Sequence, residues 1–141
     1  MSLISRSREQ LAAAEGLAGI LDAAYGAFED MLTVIECWED PGDRMFVTFV
    51  AAGMIAANGR DAVLRAPSVP DHQLTRVAGE ESLYSESAED DARQLAALST
   101  VIADRLSEAA GTAAELRDRI ACEEAARSAR NISALFSGTV T

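Results

Sequence analysis

Two pairs of carboxylates have a spacing that metal-dependent chemistry could use. Glu36 and Glu39 lie three positions apart in one predicted helix, and Glu115 and Asp118 lie three apart in another. Residues at this spacing share a helix face, and four carboxylates that meet between helices can bind Mg²⁺ for phosphate chemistry. The chain has 23 acidic residues, so such pairs also arise by chance on solvated faces. We favour the solvated-face interpretation.

The same pairs resemble the motifs of the all-α nucleoside triphosphate pyrophosphohydrolases. The resemblance is limited to the Glu-x-x-Glu at Glu36 and Glu39 and the Glu-x-x-Asp at Glu115 and Asp118. It implies a Mg²⁺-dependent phosphohydrolase, although in that family the two motifs lie on neighbouring helices and much closer in sequence. This alternative predicts that the four carboxylates converge in a cleft.

The two cysteines and the single histidine predict no metal site. A ferritin-like di-iron centre needs two Glu-x-x-His pairs, and structural zinc needs about four Cys or His ligands, whereas this chain has Cys37, Cys122 and His72. Both cysteines fall in predicted helices, where we expect buried, free thiols rather than a Cys–His nucleophile. No Gly-rich phosphate loop, nucleophile elbow or dinucleotide fingerprint is present. The sequence thus predicts no catalytic residue and no cofactor.

Composition narrows the classes of partner. Twelve basic residues against 23 acidic ones give a net charge of −11, which disfavours nucleic acid and anionic membrane surfaces as partners. All basic residues are Arg and 28 residues are Ala, a bias typical of GC-rich bacterial genomes. The longest apolar run, Met45 to Ala57, is shorter than a membrane span, and no secretory signal is evident. We therefore expect a cytoplasmic location.

Helical periodicity organises most of the chain. Apolar residues from Leu17 to Trp38 alternate spacings of four and three, which predicts one long helix from about Ser7 to Glu39. Its glycines either mark bends or allow close packing, and we favour close packing. After a turn at Asp40–Asp43, a second helix runs from about Arg44 to Arg65 and is apolar nearly all round. Such a helix is either central in the fold or part of an oligomer contact.

A connection from Pro67 to about Glu86 follows, with one short helical piece predicted at Asp71 to Val77. From Ser87 onward the apolar spacing resumes and allows two architectures. One is a single helix of nearly 50 residues; the other is a hairpin in which Gly111 ends a helix and Thr112 caps the next. We favour the hairpin, because it places the acidic start of the region beside its basic end.

These elements predict an all-α fold. Four helices joined by a short turn, a long connection and another short turn indicate an antiparallel four-helix bundle with a long connection between helices 2 and 3. A chain of 141 residues is long enough for one such core, so we expect a single domain over residues 1–141.

The remaining candidate for function is a surface around the first turn. It consists of four residues that are close in sequence: Trp38, Phe46, Phe49 and Val50. If these side chains are buried together, they would cap the core. If they are partly exposed, they would bind a protein partner or an apolar ligand. Some of the apolar side chains of the second helix should form an exposed strip, drawn from Phe46, Val47, Phe49, Val50, Met54 and Ile55. A second copy would cover it, or the 67–86 connection would fold back over it; we favour the copy. The leading hypothesis is a non-enzymatic, homodimeric helical interaction module, and the alternatives are the Mg²⁺-dependent phosphohydrolase and a small apolar-ligand binder.

Overall fold

The structure, a computed structural model, describes residues 2–70 and 87–140, and within these ranges it is all-α without a strand. The prediction of an all-α fold is confirmed. The helical piece predicted at Asp71–Val77, and His72 within it, lie outside the described residues. The described ranges contain five helices: α1 (Leu3–Ala13), α2 (Gly16–Glu36), α3 (Phe46–Leu64), α4 (Ala88–Thr112) and α5 (Leu116–Val140).

The single N-terminal helix predicted from Ser7 to Glu39 is wrong, because the chain breaks between α1 and α2. Ala14 is extended, and Gly16 has a φ of 73°, which lies in the left-handed region that favours glycine. The break is held from outside by Arg105 of α4, whose Nε donates a 3.1 Å hydrogen bond to the carbonyl of Leu11 and whose Nη2 donates to the carbonyl of Ala14. At Gly16, therefore, glycine marks a bend rather than close packing.

The turn between α2 and α3 forms as predicted. The Asp40 side chain accepts a 3.0 Å hydrogen bond from the amide of Gly42, and Asp43 accepts one of 2.7 Å from the amide of Met45. Aspartate side chains that bond to backbone amides two positions ahead stabilise such turns. The second predicted helix is thus confirmed, with α3 beginning one residue after Met45.

The helix α3 is not central. It packs mainly against α2 and α5, whereas α4 and α2 each pack against three helices. Its buried residues are small apart from Phe49 and Val63, and Gly59 lies directly against the ring of Phe28. Of the two positions considered for this helix, the central one is wrong, and one face of α3 is left toward solvent.

By length and composition alone, α3 is also the one helix in the described ranges that could cross a membrane. It has 19 residues and a window with a mean hydropathy of 1.2, of which 33% is buried in the fold. The helix extends beyond the apolar run from Met45 to Ala57, which was too short to span a bilayer. Core helices of soluble proteins have the same length and composition, so these two properties fit a protein core as well as a bilayer.

The C-terminal region forms a hairpin, so the single helix of nearly 50 residues is wrong. The turn lies two residues later than predicted, over 113–115, and Ala113 is the extended residue that ends α4. Gly111 lies within the last turn of α4 and does not adopt a positive φ. Thr112 donates its hydroxyl to the carbonyl of Ala109, 3.1 Å away, and so acts at the end of α4 rather than as the predicted cap of α5.

The helices pack pairwise around one apolar cluster. The pairs in contact are α1 with α2 and α4, α2 with α3 and α4, and α5 with α3 and α4. The predicted architecture of four helices is not confirmed, since the described ranges contain five. The interface between α4 and α5 is the most extensive. Alanines are numerous among the buried residues of these two helices: Ala92, Ala103, Ala109, Ala110, Ala121, Ala125, Ala126 and Ala129.

Candidate interaction surface

Three aromatic rings join the ends of α2, α3 and α5. The ring of Phe49 stacks on that of Trp38, with centroids 6.3 Å apart and planes at 25°, and it meets the ring of Phe136 at 5.4 Å. Phe49 and Phe136 have no exposed side-chain surface, and Trp38 is partly buried. Of the four predicted surface residues, Phe49 is thus a core residue, and the core-cap interpretation describes it.

Trp38 is fixed by a polar contact as well. Its indole Nε1 donates a 2.7 Å hydrogen bond to Oδ2 of Asp91, which lies in the first turn of α4 and is only 1% exposed. A buried carboxylate needs such donors, because an unpaired charge in the core is costly. With this bond and the Phe49 contact, Trp38 connects α2 to both α3 and α4. This role is structural, although part of the ring remains at the surface.

The two most exposed large apolar side chains that the structure describes belong to α3. Phe46 and Val50 are half-buried, whereas Val47 is 79% exposed and Met54 is 67% exposed. These two belong to a row of residues with alternating spacings of three and four, which begins in the turn before α3 and ends at the residue after it. We call this row the outer face of α3: Arg44, Val47, Ala51, Met54, Asn58, Asp61 and Arg65. All of them are exposed except Ala51, which is half-buried. Val47 and Met54 are not among the four predicted surface residues, although both belong to the set from which the exposed strip was expected, and their spacing distinguishes them from Phe49.

Charged side chains lie at both ends of the outer face. Arg44 donates to Glu89 at 2.6 Å, and this hydrogen bond lowers the pKa of the Glu89 carboxyl. At the other end, Asp61 accepts from Arg60 at 3.3 Å and Arg65 pairs with Glu124 at 3.0 Å. The Arg44, Asp61 and Arg65 side chains are still 54% to 64% exposed, so they remain accessible to another molecule.

The four carboxylates considered for Mg²⁺ do not come together. Glu39 lies beside Gly53 in the first half of α3, whereas Asp118 accepts hydrogen bonds from Ser68 beyond the end of α3. The stretch of helix from Gly53 to Leu64 spans about 16 Å on its own, which is too far for a shared cation. No group of three His, Cys, Asp or Glu residues that could hold a metal exists in the described part of the chain.

Both cysteines are free thiols, as predicted, but only one is buried. Cys122 lies inside the α5 packing surface, and burial, together with the carboxylates of Asp118 and Glu123, raises the pKa of its thiol to about 11. Cys37 follows the last turn of α2 and is exposed, contrary to the expectation of two buried thiols. Partial burial, followed by the charge of Asp91, raises its pKa too, so the reactive thiolate is disfavoured at neutral pH.

A groove of about 460 Å³ lies between the C-terminal end of α3 and the first turns of α5. Leu64 and Ile120 line it at 45% and 44% exposure, together with Arg65, Arg117 and Glu124. Pockets that bind drug-sized ligands surround most of the ligand with apolar side chains. Half of the residues that line this groove are charged, and the groove is open to solvent, so it does not favour the small-ligand alternative.

Compared with known proteins, the chain matches no family model, no curated protein and no solved structure. The function must therefore be argued from the surface itself.

Proposed function

We propose that the protein is a non-enzymatic helical interaction module that forms a homodimer through α3. The observation that carries this proposal is the exposure of Val47 and Met54 on a helix whose opposite side is packed against α2 and α5. Large apolar side chains gain free energy when they leave water, and soluble proteins rarely leave a row of them uncovered. A second copy of the chain offers the same apolar row and the same helix length.

The rest of the proposal concerns the scaffold and the setting. We take α2 to α5 as an antiparallel four-helix bundle that presents α3, with α1 packed against α2 and α4; the contacts of α3 with both α2 and α5 support this arrangement. The net charge of −11 supports a partner other than nucleic acid or an anionic membrane, and two free thiols are in keeping with a reducing cytoplasm.

Sedimentation equilibrium from about 1 μM to about 500 μM protein tests the proposal. We expect the wild type to reach the dimer mass within this range and Met54→Glu to weaken dimerisation more than tenfold, because each dimer would bury two unpaired carboxylates. Leu116→Glu is the matched control: Leu116 is 62% exposed but lies on α5, outside the outer face of α3, so dimerisation should be unchanged.

Two results would contradict the proposal. One is a wild-type mass that stays at 14.9 kDa over the whole range. The other is equal weakening by Met54→Glu and Leu116→Glu, which would place the contact elsewhere. Flotation with neutral phospholipid vesicles completes the test: a wild-type chain that floats, and loses this property with Met54→Glu, would assign α3 to a bilayer instead.

A further inference from the structure

The sequence of side chains along the outer face of α3 also determines how a second copy can lie on it. We infer that the two α3 helices pair in antiparallel orientation, with Ala51 of one protomer opposite Met54 of the partner subunit. This inference rests on the proposed function, because it presupposes that α3 is the contact. It adds the orientation and the register of the dimer.

The outer face has the spacing of a seam between two helices. Its five residues within α3 follow one another at intervals of three and four, which is the pattern of two helices that pack side by side. Arg44, in the turn before α3, and Arg65, directly after it, extend the row by one position at each end. In such a seam each residue of one helix meets a defined residue of the other. The middle of the row is apolar, with Val47, Ala51 and Met54, and the ends carry charge. The charges therefore report on which orientation is compatible.

A parallel pair is disfavoured by every charged position. In parallel orientation each residue lies opposite its own copy, so Arg44 meets Arg44, Asp61 meets Asp61 and Arg65 meets Arg65. Like charges directly opposite one another destabilise a helix pair and select against that orientation. An antiparallel pair around a two-fold axis avoids all three of these encounters.

Among antiparallel registers, one matches both charge and size. With Ala51 opposite Met54 of the partner subunit, Arg44 lies opposite the partner's Asp61, and Val47 lies opposite the partner's Asn58. The two-fold axis repeats each of these contacts, so there are two Arg–Asp pairs at the ends and two Ala–Met contacts in the middle. The small Ala51 side chain leaves room for the long, flexible Met54.

The neighbouring registers, shifted by one heptad, lose these matches. A shift in one direction places Ala51 opposite the partner's Asp61 and Val47 opposite the partner's Arg65, so apolar groups face charges. A shift in the other direction places Met54 opposite the partner's Arg44 and leaves Asp61 without a cationic residue opposite it. Only the central register places Arg44 opposite the partner's Asp61 and Ala51 opposite the partner's Met54 at the same time.

A charge-reversal cycle tests the orientation. Arg44→Asp and Asp61→Arg should each weaken dimerisation about tenfold, because each converts two attractive pairs into two repulsive ones. The double variant should return to within about threefold of the wild type, since it restores both pairs with their signs exchanged. Arg93→Asp on α4, whose side chain is 60% exposed and lies 4.0 Å from Asp90, is the control that changes net charge without changing the outer face.

Cross-linking provides a second measurement that does not depend on charge. In a Cys37→Ser background, Ala51→Cys and Met54→Cys chains are mixed and oxidised with diamide. We expect the disulfide to form mainly between one chain of each kind, because positions 51 and 54 face each other, and much less within either variant alone. Thermal unfolding of each variant at low concentration confirms that the protomer remains folded, including Arg44→Asp, which also loses the Glu89 ion pair.

The outcomes separate the two proposals. A wild-type chain that stays monomeric overturns the homodimer and the antiparallel pairing with it. A wild-type dimer that requires Met54, but whose charge reversals are not rescued in the double variant, overturns the register alone. Disulfides that form preferentially within a single variant, 54 to 54, would show a parallel pair.

Discussion

Gly59 has very little room for a side chain, and this leads to a sharp prediction for Gly59→Ala. A Cβ atom added at Gly59 would lie 2.6 Å from both Cε1 and Cζ of Phe28, well inside ordinary van der Waals contact. The Phe28 ring has no exposed surface and is enclosed by the core, so it has little room to move away. Alanine at position 59 should therefore destabilise the fold.

The magnitude follows from two opposing effects. Overpacking a core costs about 1–3 kcal/mol, whereas replacing glycine by alanine within a helix stabilises it by about 0.5–1 kcal/mol. Gly111 provides the comparison without the clash, because it is also helical and a Cβ there would meet nothing within 4 Å. The helix contribution is shared by the two substitutions, so the difference between them isolates the steric cost.

Urea unfolding followed by circular dichroism, at a protein concentration where the chain is monomeric, gives the free energy of unfolding of each variant. We expect Gly111→Ala to be more stable than the wild type by about 0.5–1 kcal/mol, and Gly59→Ala to lie about 1–3 kcal/mol below Gly111→Ala. Adding Phe28→Leu to Gly59→Ala should recover part of the loss, since the shorter side chain leaves room for the new methyl group.

Equal stability of Gly59→Ala and Gly111→Ala would contradict a steric clash at Gly59. The clash would also be contradicted if Phe28→Leu destabilised the Gly59→Ala chain as much as it destabilises the wild type, because the two residues would then not be in conflict. A Gly111→Ala variant less stable than the wild type would instead place the end of α4 before Gly111.

Three further predictions concern the break after α1 and the buried thiol. Gly16→Ala should cost about 1 kcal/mol, because its φ of 73° strains any residue with a Cβ although space is available; thermal unfolding measures it, and an unchanged midpoint would contradict it. Arg105→Ala should lower the free energy of unfolding by about 1–3 kcal/mol, because it removes two charged hydrogen bonds to backbone carbonyls. The exposed control Arg93→Ala should lower it by less than about 0.5 kcal/mol. Equal losses for the two variants would refute the capping role of Arg105. The Cys122 thiol has a pKa of about 11 in the folded chain, compared with an ordinary value of 9.0. As the pH rises, the thiol of the unfolded chain therefore loses its proton first. The stability that this group contributes is complete below pH 9 and is lost as the pH rises toward 11. Urea unfolding between pH 8 and 11 should show a smaller decline for Cys122→Ala, and parallel curves would be the contrary result.

The sequence was sufficient for the elements that are defined by periodicity. The alternating spacings of three and four predicted the helical stretches, and the Asp, Pro and Gly residues at 40–43 predicted the turn before α3. The break after α1 was not predicted, because its carbonyls are satisfied by Arg105, a residue some ninety positions away in the chain. At the second turn, Gly111 suggested a left-handed cap, yet the extended Ala113 ends α4 without one.

The candidate surface was predicted in part. The excess of apolar residues in the second helix correctly indicated that some of them would be exposed, but hydrophobicity alone favoured Phe49, the ring that is fully buried. Which side of α3 is covered depends on the positions of α2 and α5, and this information is not contained in the helix itself. Similarly, the two acidic pairs, at 36 and 39 and at 115 and 118, have the same local spacing as a metal-binding motif. Only the distance between the two pairs in the fold distinguishes a Mg²⁺ site from acidic side chains on solvated helix faces.

The many buried alanines of α4 and α5 have a consequence for how the sequence can change over time. In a core of leucine and phenylalanine, random substitution mostly removes atoms, and the resulting voids are tolerated to different degrees. An alanine offers almost nothing to remove, so nearly every apolar replacement at Ala103, Ala125 or Ala129 adds atoms to a core that is already packed. We expect substitutions at these positions to be restricted to glycine and serine, while the solvent-facing side of the same helices drifts freely. Relatives of this protein should therefore be recognisable by the spacing of small residues rather than by overall identity.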